Sequence, residues 1–418
     1  MKKIKQRVLR IVWIALLIII NITSSNASEW KVNAGIDQNI SYDDNVIMRE
    51  EPEASLIYKV TPSVNLSHKT DVSNLSAYAS YGVQRFFDIE DLNRNHQHYG
   101  IQGEYNTERT TWELDSLYSS APARNTAGLE SGDFETDADR KTFSISPTVS
   151  YQLTEQDRLS LSAQYTNTRF EVSDSEQRLL PIICGVKTDI GAVVDSACGL
   201  NKYEDVSVRL LWLRQWTERY SSTLNVFYSN YDSSKIFLDD NTKSDSTGLN
   251  ISSTYLLYEN LELFGTVGYR ATKTNRDSIE TDSDGFLFDI GAKYNDINWL
   301  AELKVNKSLV PSSQGSLNDQ TKVSVDLQYK FTERLYASLL SNYQISESVE
   351  GQGLNKRTNI TFHPTLSWKL NPDWTVSTSY RYRYQERFLR SSGAEEEADS
   401  NLYMLSIHYR WQGLNIAR

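Results

Sequence analysis

The sequence predicts an all-β fold, a transmembrane antiparallel up-and-down β-barrel of about eighteen strands. Three observations support this prediction. Apolar and polar residues alternate along many stretches, short and long connections alternate between those stretches, and the tryptophans gather at one end of them. Period-two alternation predicts a strand with one apolar face, and in a transmembrane barrel that face meets lipid.

The segment 140–171 shows the repeating unit most clearly. From Phe143 to Leu153 apolar side chains occupy every second position, with serine, threonine and glutamine between them. After the polar turn 154–158 the alternation resumes at Leu159. Two such strands joined by a tight turn form a hairpin. Hydroxyls and amides fill the polar face, which is typical of a wet barrel lumen.

Reading the alternation along the chain predicts eighteen strands. Their predicted bounds are 30–42, 54–67, 74–86, 96–106, 111–119, 141–153, 159–171, 203–216, 221–231, 246–257, 261–271, 285–294, 299–308, 321–331, 335–346, 358–370, 374–387 and 400–412.

The predicted connections alternate strictly in length. Eight are tight turns, including Thr-Glu-Arg turns that begin at Thr107, Thr217 and Thr332. Nine are longer and acidic or serine-rich, such as 43–53, 87–95 and 388–399. Short turns at one end, long loops at the other and an even strand number indicate an outer-membrane barrel with short periplasmic turns and long extracellular loops.

The first 27 residues predict a signal peptide. Five basic residues precede or flank the start of the apolar run 11–20, and Ser25-Asn26-Ala27 supplies small residues that a signal peptidase reads. We expect cleavage after Ala27 and a single barrel domain over 28–418. Beyond this segment no apolar run is long enough for a transmembrane helix.

The chain is acidic. Its formal net charge is -11, and loss of the signal peptide removes five positive and no negative charges, which gives -16. Such a protein repels phosphate backbones, so we expect no nucleic-acid partner.

The tryptophans provide an independent test of the strand assignment. When successive strands run in opposite directions, all eight tryptophans after residue 27 fall at the short-turn end. They are Trp30, Trp112, Trp212, Trp216, Trp299, Trp368, Trp374 and Trp411. Amphipathic rings collect at membrane interfaces, so these residues predict a periplasmic aromatic girdle.

The last predicted strand carries an apolar row that ends in two aromatic residues, Tyr409 and Trp411. The row resembles the C-terminal signal by which outer-membrane proteins are recognised for assembly, although Gln412 to Arg418 follow it here. We therefore expect the barrel assembly machinery as a partner, together with outer-membrane lipid and lipopolysaccharide, in a Gram-negative bacterium.

Basic side chains concentrate on the lumen face of the last three predicted strands. They are Arg381, Arg383, Arg387, His363, His408 and Arg410. A basic ladder along a pore favours anionic solutes through its potential and its hydrogen-bond donors. The alternative is that these residues pair with inward carboxylates and brace the wall, the candidates being Glu302, Asp326, Glu104 and Asp115.

The predicted connection 173–202 contains apolar pieces and both cysteines of the chain, Cys184 and Cys198. An exported chain favours a disulfide between them, and two free thiols are the alternative. Apolar loops usually pack on something. The bridged segment would either fold over the mouth of the barrel and narrow the pore or stay on the surface.

A catalytic barrel is a competing class. His96 and His98 begin a predicted strand near Asp91, where a histidine base and an orienting carboxylate would suit acid–base chemistry. No serine or carboxylate accompanies them in a motif, so we interpret the pair as a hydrogen-bonded rim feature. We expect no enzyme activity, no cofactor and no metal site.

The first predicted hairpin resembles that of a known family. The hexapeptide SYDDNV at 41–46, followed by VTPSV at 60–64, is similar to the first hairpin of outer-membrane β-barrels associated with exopolysaccharide gene clusters. A similar strand-proline pattern recurs at 146–149 and 363–366. The resemblance implies a role in polysaccharide export, with periplasmic and inner-membrane export partners.

These features lead to one functional expectation. We expect an outer-membrane channel for a hydrophilic, anionic carbohydrate, acting in exopolysaccharide export. A general or solute-specific diffusion porin and a non-conducting surface binding or structural barrel are the alternatives.

Overall fold

The computed structural model describes residues 28–123, 138–171, 201–235, 241–276, 279–311, 317–348, 356–389 and 394–417. These residues form eighteen strands and one short 3₁₀ turn, Glu90–Leu92. The strands are β1 (Ser28–Asp43), β2 (Ser55–Thr70), β3 (Ser73–Phe86), β4 (Arg94–Asn106), β5 (Thr110–Pro122), β6 (Asp139–Gln152), β7 (Asp157–Glu171), β8 (Asn201–Thr217), β9 (Tyr220–Lys235), β10 (Asn241–Tyr258), β11 (Leu261–Arg276), β12 (Ile279–Asn295), β13 (Trp299–Pro311), β14 (Leu317–Lys330), β15 (Leu335–Ser348), β16 (Lys356–Lys369), β17 (Trp374–Leu389) and β18 (Ala394–Ala417).

Each strand pairs antiparallel with the strands before and after it, and β18 pairs back with β1. The sheet is therefore a closed up-and-down barrel without a free edge, and the predicted fold class is confirmed. Within the described ranges, no helix has the length and apolar character needed to cross a membrane.

The two faces of the wall differ as the alternation predicts. On β1, Ile36, Ile40 and Tyr42 are exposed on the outer face, whereas Ser41 and Asp43 between and beyond them are buried on the inner face. The same alternation of exposed apolar and inward polar residues runs around the barrel. The outer face is thus an apolar belt suited to lipid, and the inner face is rich in hydroxyls and amides.

The strands extend further at the long-loop end than the sequence predicts. Only residues 277–278 separate β11 from β12, and Asp282 and Asp284 lie within β12. The predicted loop 388–399 is wrong over most of its length, because β17 ends at Leu389 and β18 begins at Ala394. Where a strand extends beyond the lipid, both of its faces meet water and carry polar residues. The alternation of apolar and polar residues is then lost, so the sequence does not reveal these strand ends.

Residues after Trp411 continue the last strand and complete the closure. Leu414 and Ile416 pair opposite Val32 and Trp30 of β1 after a bulge. Gly413 forms this bulge with a φ of 68°, a backbone conformation that glycine adopts without strain. The C-terminal residues are therefore part of the wall.

Each of the three prolines in the family-like patterns interrupts one ladder. Pro62, Pro147 and Pro364 lie in even-numbered strands, and in each case two residue pairs are missing toward the following strand. Proline has no backbone N–H to donate, so it weakens a ladder where it occurs. The register is the same on both sides of each gap.

The hairpin of β13 and β14 separates from β12 at the long-loop end and bends into the lumen, while β14 stays paired with β15 as far as Asn318 and Ser348. The pairing of β12 with β13 stops at Phe288 and Lys307, although β13 stays paired with β14 as far as Pro311 and Leu317. We call the end of this hairpin, residues 308–311 and 317–320, the inner hairpin.

The packing of Leu317 shows where the inner hairpin goes. Leu317 is buried in a cluster with Phe170, Tyr203 and Tyr231, inward-facing side chains of β7, β8 and β9. From β9 to β14 the wall measures roughly 24 Å at about 4.8 Å per strand, too far for side chains to span along the wall. The inner hairpin therefore lies across the lumen.

Candidate lumen site

The six basic residues that the sequence points to all lie on the inner face. Arg381, Arg383 and Arg387 alternate along β17, and the neighbouring β16 and β18 contribute His363, His408 and Arg410. Inward orientation follows from the register, because Tyr380 and Tyr382 between the arginines belong to the outer face.

Closure of the barrel adds basic residues from the N-terminal strands to this strip. Because β18 pairs with β1, the inner faces of β16 to β18 and β1 to β4 form one continuous surface. We give the name basic arc to ten basic side chains of this surface. They are Lys59, His96, His98, Arg357, His363, Arg381, Arg383, Arg387, His408 and Arg410.

Arg383 is held by an ion pair at the long-loop end. One of its Nη groups lies 2.9 Å from a carboxylate oxygen of Asp43 on β1 and donates to the Ser400 hydroxyl at 3.0 Å. The Ser400 hydroxyl donates to the other Asp43 oxygen at 2.6 Å. Asp43 is almost fully buried, so this pairing satisfies a charge that would otherwise be costly.

The family-like hexapeptide at 41–46 forms hydrogen bonds across the junction of β1 and β18, where the barrel closes. The Asp44 carboxylate accepts hydrogen bonds from the backbone N–H and the side-chain amide of Asn401 at 2.6 and 2.9 Å. The Asn45 amide donates to the carbonyl of Asp399 at 3.0 Å. With Asp43, these residues fasten the first connection to β17 and β18.

Two further members of the basic arc have acidic neighbours. His408 lies 2.5 Å from a carboxylate oxygen of Asp37 on β1, and Arg387 is the register partner of Glu396 on β18. The alternative interpretation, in which basic side chains lie beside inward carboxylates and brace the wall, therefore fits these two residues and Arg383.

The carboxylates named as candidates for bracing the wall have other neighbours. Glu302 and Asp326 are register partners of each other. Glu104 accepts a hydrogen bond from Asn106, and Asp115 accepts one from Gln102 at 3.1 Å. In the described structure the acidic partners of Arg383 and His408 are instead Asp43 and Asp37 of β1.

Lys59 and Arg381 differ from their neighbours. Neither side chain forms a hydrogen bond or an ion pair with any of the described residues. His363 is opposite Arg381 in the register of β16 and β17, and its Nε2 is also without a hydrogen-bond partner. The basic arc thus presents donors that no protein group in the described ranges occupies.

His96 is the most deeply buried member of the basic arc, with 3 % of its surface exposed. Neither of its ring nitrogens has a hydrogen-bond partner in the described structure. Its ring lies over Gly82 of β3, where it fills the space that a β-carbon would need.

The histidine pair does not assemble a triad. His98 Nδ1 lies 2.9 Å from the Ser119 hydroxyl, a contact across β4 and β5 that the sequence did not reveal. Asp91 lies in the 3₁₀ turn, and no hydrogen bond joins it to either histidine in the described part of the chain. A serine–histidine pair without an orienting acid is incomplete for nucleophilic catalysis.

Apolar residues cover the lumen above the basic arc. Ile57 and Phe86 point inward at the ends of β2 and β3 and form a buried cluster with Val46, Ile47 and Leu92 from the first two connections at the long-loop end. We call this group the mouth cluster. Since its wall residues face inward, the connections that pack on them lie over the lumen.

The opposite part of the lumen carries balanced charges. Arg270 of β11, which is 1 % exposed, forms an ion pair with Asp319 of the inner hairpin and donates to the Thr272 hydroxyl at 3.1 Å. Lys304 lies 2.7 Å from Asp289. These pairs anchor the inner hairpin and its base to the wall.

All eight tryptophans expected in the girdle are exposed on the outer face near the short-turn end. Two of them pack against tyrosines of neighbouring strands, Trp299 on Tyr329 at 4.5 Å and Trp374 on Tyr409 at 4.7 Å between ring centroids. This placement is what an interfacial belt requires.

Three expectations lie outside the described residues. They are the signal peptide over residues 1–27, the segment 173–202 over nearly all of its length, and the disulfide between Cys184 and Cys198. They stay predictions.

Among known proteins, the chains similar to this one are solved structures of low sequence identity. No family model matches the sequence, and no curated protein matches it. Solved structures that resemble it include Acinetobacter baumannii OccAB2, with 11 % identity and a TM-score of 0.49 over 91 % of this chain and 98 % of that one. Pseudomonas aeruginosa OccK1 has 10 % identity and a TM-score of 0.48 over 91 % and 99 %.

A third solved structure is the FrpB iron transporter of Neisseria meningitidis, with 9 % identity and a TM-score of 0.46 over 91 % of this chain and 81 % of that one. At these identities and TM-scores, no activity or solute carries over from these proteins to this chain.

Proposed function

We propose that this protein is an outer-membrane channel for a hydrophilic, anionic carbohydrate. The apolar outer belt and the closed wall suit a bilayer, and the hydroxyl-rich inner face suits a wet pore. The observation that carries the proposal is the basic arc, in which Lys59 and Arg381 have no bonded partner among the described residues.

The chemistry of the basic arc favours carboxylated or similarly charged saccharides. Arginine and lysine donors that face the lumen lower the energy of an anion in a narrow, low-dielectric passage. Bracing by Asp43 and Asp37 fixes part of the arc without neutralising Arg381. Serine and threonine hydroxyls on the remaining wall hydrogen bond to sugar hydroxyls.

Export of an exopolysaccharide is the physiological role that we propose for this channel. The support is the resemblance of residues 41–46 and 60–64 to the first hairpin of barrels from exopolysaccharide gene clusters. In that role periplasmic export partners would deliver the polymer to the short-turn end, and lipopolysaccharide would surround the long-loop end.

The test is ion selectivity in planar bilayers. We expect the reversal potential in a KCl gradient to show anion preference, and the double variant Lys59→Gln/Arg381→Gln to shift it toward cations. The control is Lys322→Gln, which removes one inward charge on β14 outside the basic arc and should shift the potential much less. Cation selectivity of the unaltered protein would contradict the proposal.

A non-conducting binding or structural barrel is the second candidate. The mouth cluster and the inner hairpin both place buried apolar residues over or across the lumen. A correctly folded protein that passes no current in the same bilayers would favour this candidate over a channel.

A further inference from the structure

A cavity of about 490 Å³ lies between the inner hairpin and the wall. It opens where β13 separates from β12, so Leu309 and Leu317 of the hairpin line one side. The inner faces of β8 to β11 line the other side. Its volume falls within the range of roughly 300–1,000 Å³ that is typical of small-molecule sites.

Several buried polar atoms in this cavity have no partner. Asn225 Oδ1, Asn250 Oδ1, Asp289 Oδ1 and Arg270 Nε are buried and form no hydrogen bond in the described structure. A buried polar atom without a partner destabilises a fold, because it has lost its hydrogen bonds to water and gained none in return. All four belong to residues that line the cavity, and a ligand with several hydroxyl groups is the kind of molecule that would satisfy such atoms.

The carboxylates of the cavity are held in fixed positions. Asp205 accepts a hydrogen bond from the Ser229 hydroxyl at 2.8 Å, and Asp289 is bound through its other oxygen to Lys304 at 2.7 Å. Carboxylate and amide oxygens accept hydrogen bonds from hydroxyl groups, and Arg209 supplies donors on the same wall.

An aromatic side chain adds an apolar surface to these polar groups. Phe227 lines the cavity, and its ring packs against Gly248, where any β-carbon would collide with it. Sugar rings combine hydroxyl groups with apolar C–H faces, so an aromatic ring beside acceptors matches both parts. Two carboxylates and the face of an aromatic ring would repel a simple anion, so the cavity does not suit such a ligand.

We propose that the cavity beneath the inner hairpin binds a neutral, hydroxyl-rich saccharide unit. The acceptors are Asp205, Asp289, Asn225 and Asn250, the donor is Arg209, and Phe227 supports the sugar face. The site deepens the proposed function, since it would bind the sugar rings of a solute whose charged groups meet the basic arc. Binding itself does not require transport.

The test is calorimetric titration of the full-length folded protein in detergent micelles. The probes are neutral trisaccharides of glucose, galactose, mannose and N-acetylglucosamine. We expect at least one to bind, and Asp205→Asn and Phe227→Leu each to weaken that binding about ten-fold or more. The control Asp326→Asn changes an inward aspartate that does not line the cavity and should bind as the unaltered protein does.

Absence of binding by all four probes would overturn the proposal, as would equal binding by the folded variants. Folding of each variant is checked by its heat-dependent mobility in detergent gels. Asp205→Asn and Phe227→Leu change different residues of the cavity, so each tests the site on its own. A channel that selects anions but binds no sugar overturns this inference alone. A protein that binds sugar but passes no current overturns the proposed function alone.

Discussion

At the residue scale, the contact between Gly82 and His96 shows how tightly the inner face is packed. The imidazole ring takes the place of a side chain on the neighbouring strand, which keeps it flat against the wall. The three atoms nearest to the place of a β-carbon at position 82 all belong to His96, so this ring is what requires a glycine there.

This contact predicts the effect of Gly82→Ala. The added methyl group must displace the His96 ring from a buried site, so we expect the free energy of unfolding to fall by about 1–3 kcal/mol. The measurement is urea unfolding in phospholipid vesicles. In a His96→Ala background the same substitution should cost far less, and an equal cost in both backgrounds would disprove the steric explanation.

Which basic residues face the lumen could be predicted from alternation, but their partners could not. The sequence places Arg381, Arg383 and Arg387 on one face because their spacing is two. It gives no information on which carboxylate approaches them, because Asp43 reaches Arg383 from a strand 340 residues away. The cavity residues are similarly distributed over several strands and carry no local motif.

At the scale of elements, the strands were predictable and the inner hairpin was not. Alternation is a property of a wall with lipid on one side, and all eighteen strands have such a segment. Residues 309–320 lie where the sequence predicts a loop between two strands. Inside the lumen a hairpin has no lipid face, so nothing in its pattern distinguishes it from an exposed loop.

The inner hairpin predicts a change in conductance. Removal of residues 309–319, with a two-residue turn joining the register partners Ser308 and Gln320, takes away the two leucines that reach into the lumen and keeps β13 paired with β14 up to that point. We expect a higher single-channel conductance in planar bilayers.

The matched control shortens a hairpin that stays in the wall. Removal of residues 273–282 joins the register partners Thr272 and Ser283 of β11 and β12, beyond the contact of Tyr269 with Phe286 on the outer face. Conductance should not change in this variant. If removal of the inner hairpin also had no effect, another part of the chain would form the narrowest point.

At the scale of the whole molecule, the apolar belt and the tryptophans define a position relative to a bilayer. The tryptophans of the described residues occupy the short-turn end of the outer face. Indole rings prefer the headgroup region to the bilayer centre. The barrel as a whole should therefore sit with this ring of tryptophans at one interface.

Quenching of tryptophan fluorescence by brominated lipids measures this position. We expect bromines close to the headgroups to quench more strongly than bromines near the ends of the acyl chains, because the indoles lie at an interface. Strongest quenching by the deepest bromines would contradict the placement.

The closure of the barrel also has a consequence for its biogenesis. The contacts of Asp43 with Arg383 and of Asp37 with His408 join residues 340 and 371 positions apart. Such distant contacts form late during folding, because the intervening chain has to be ordered first. The charged contacts at this junction therefore form only after the last strand has docked on the first, so a partly inserted intermediate would leave Asp43 and Asp37 without these partners.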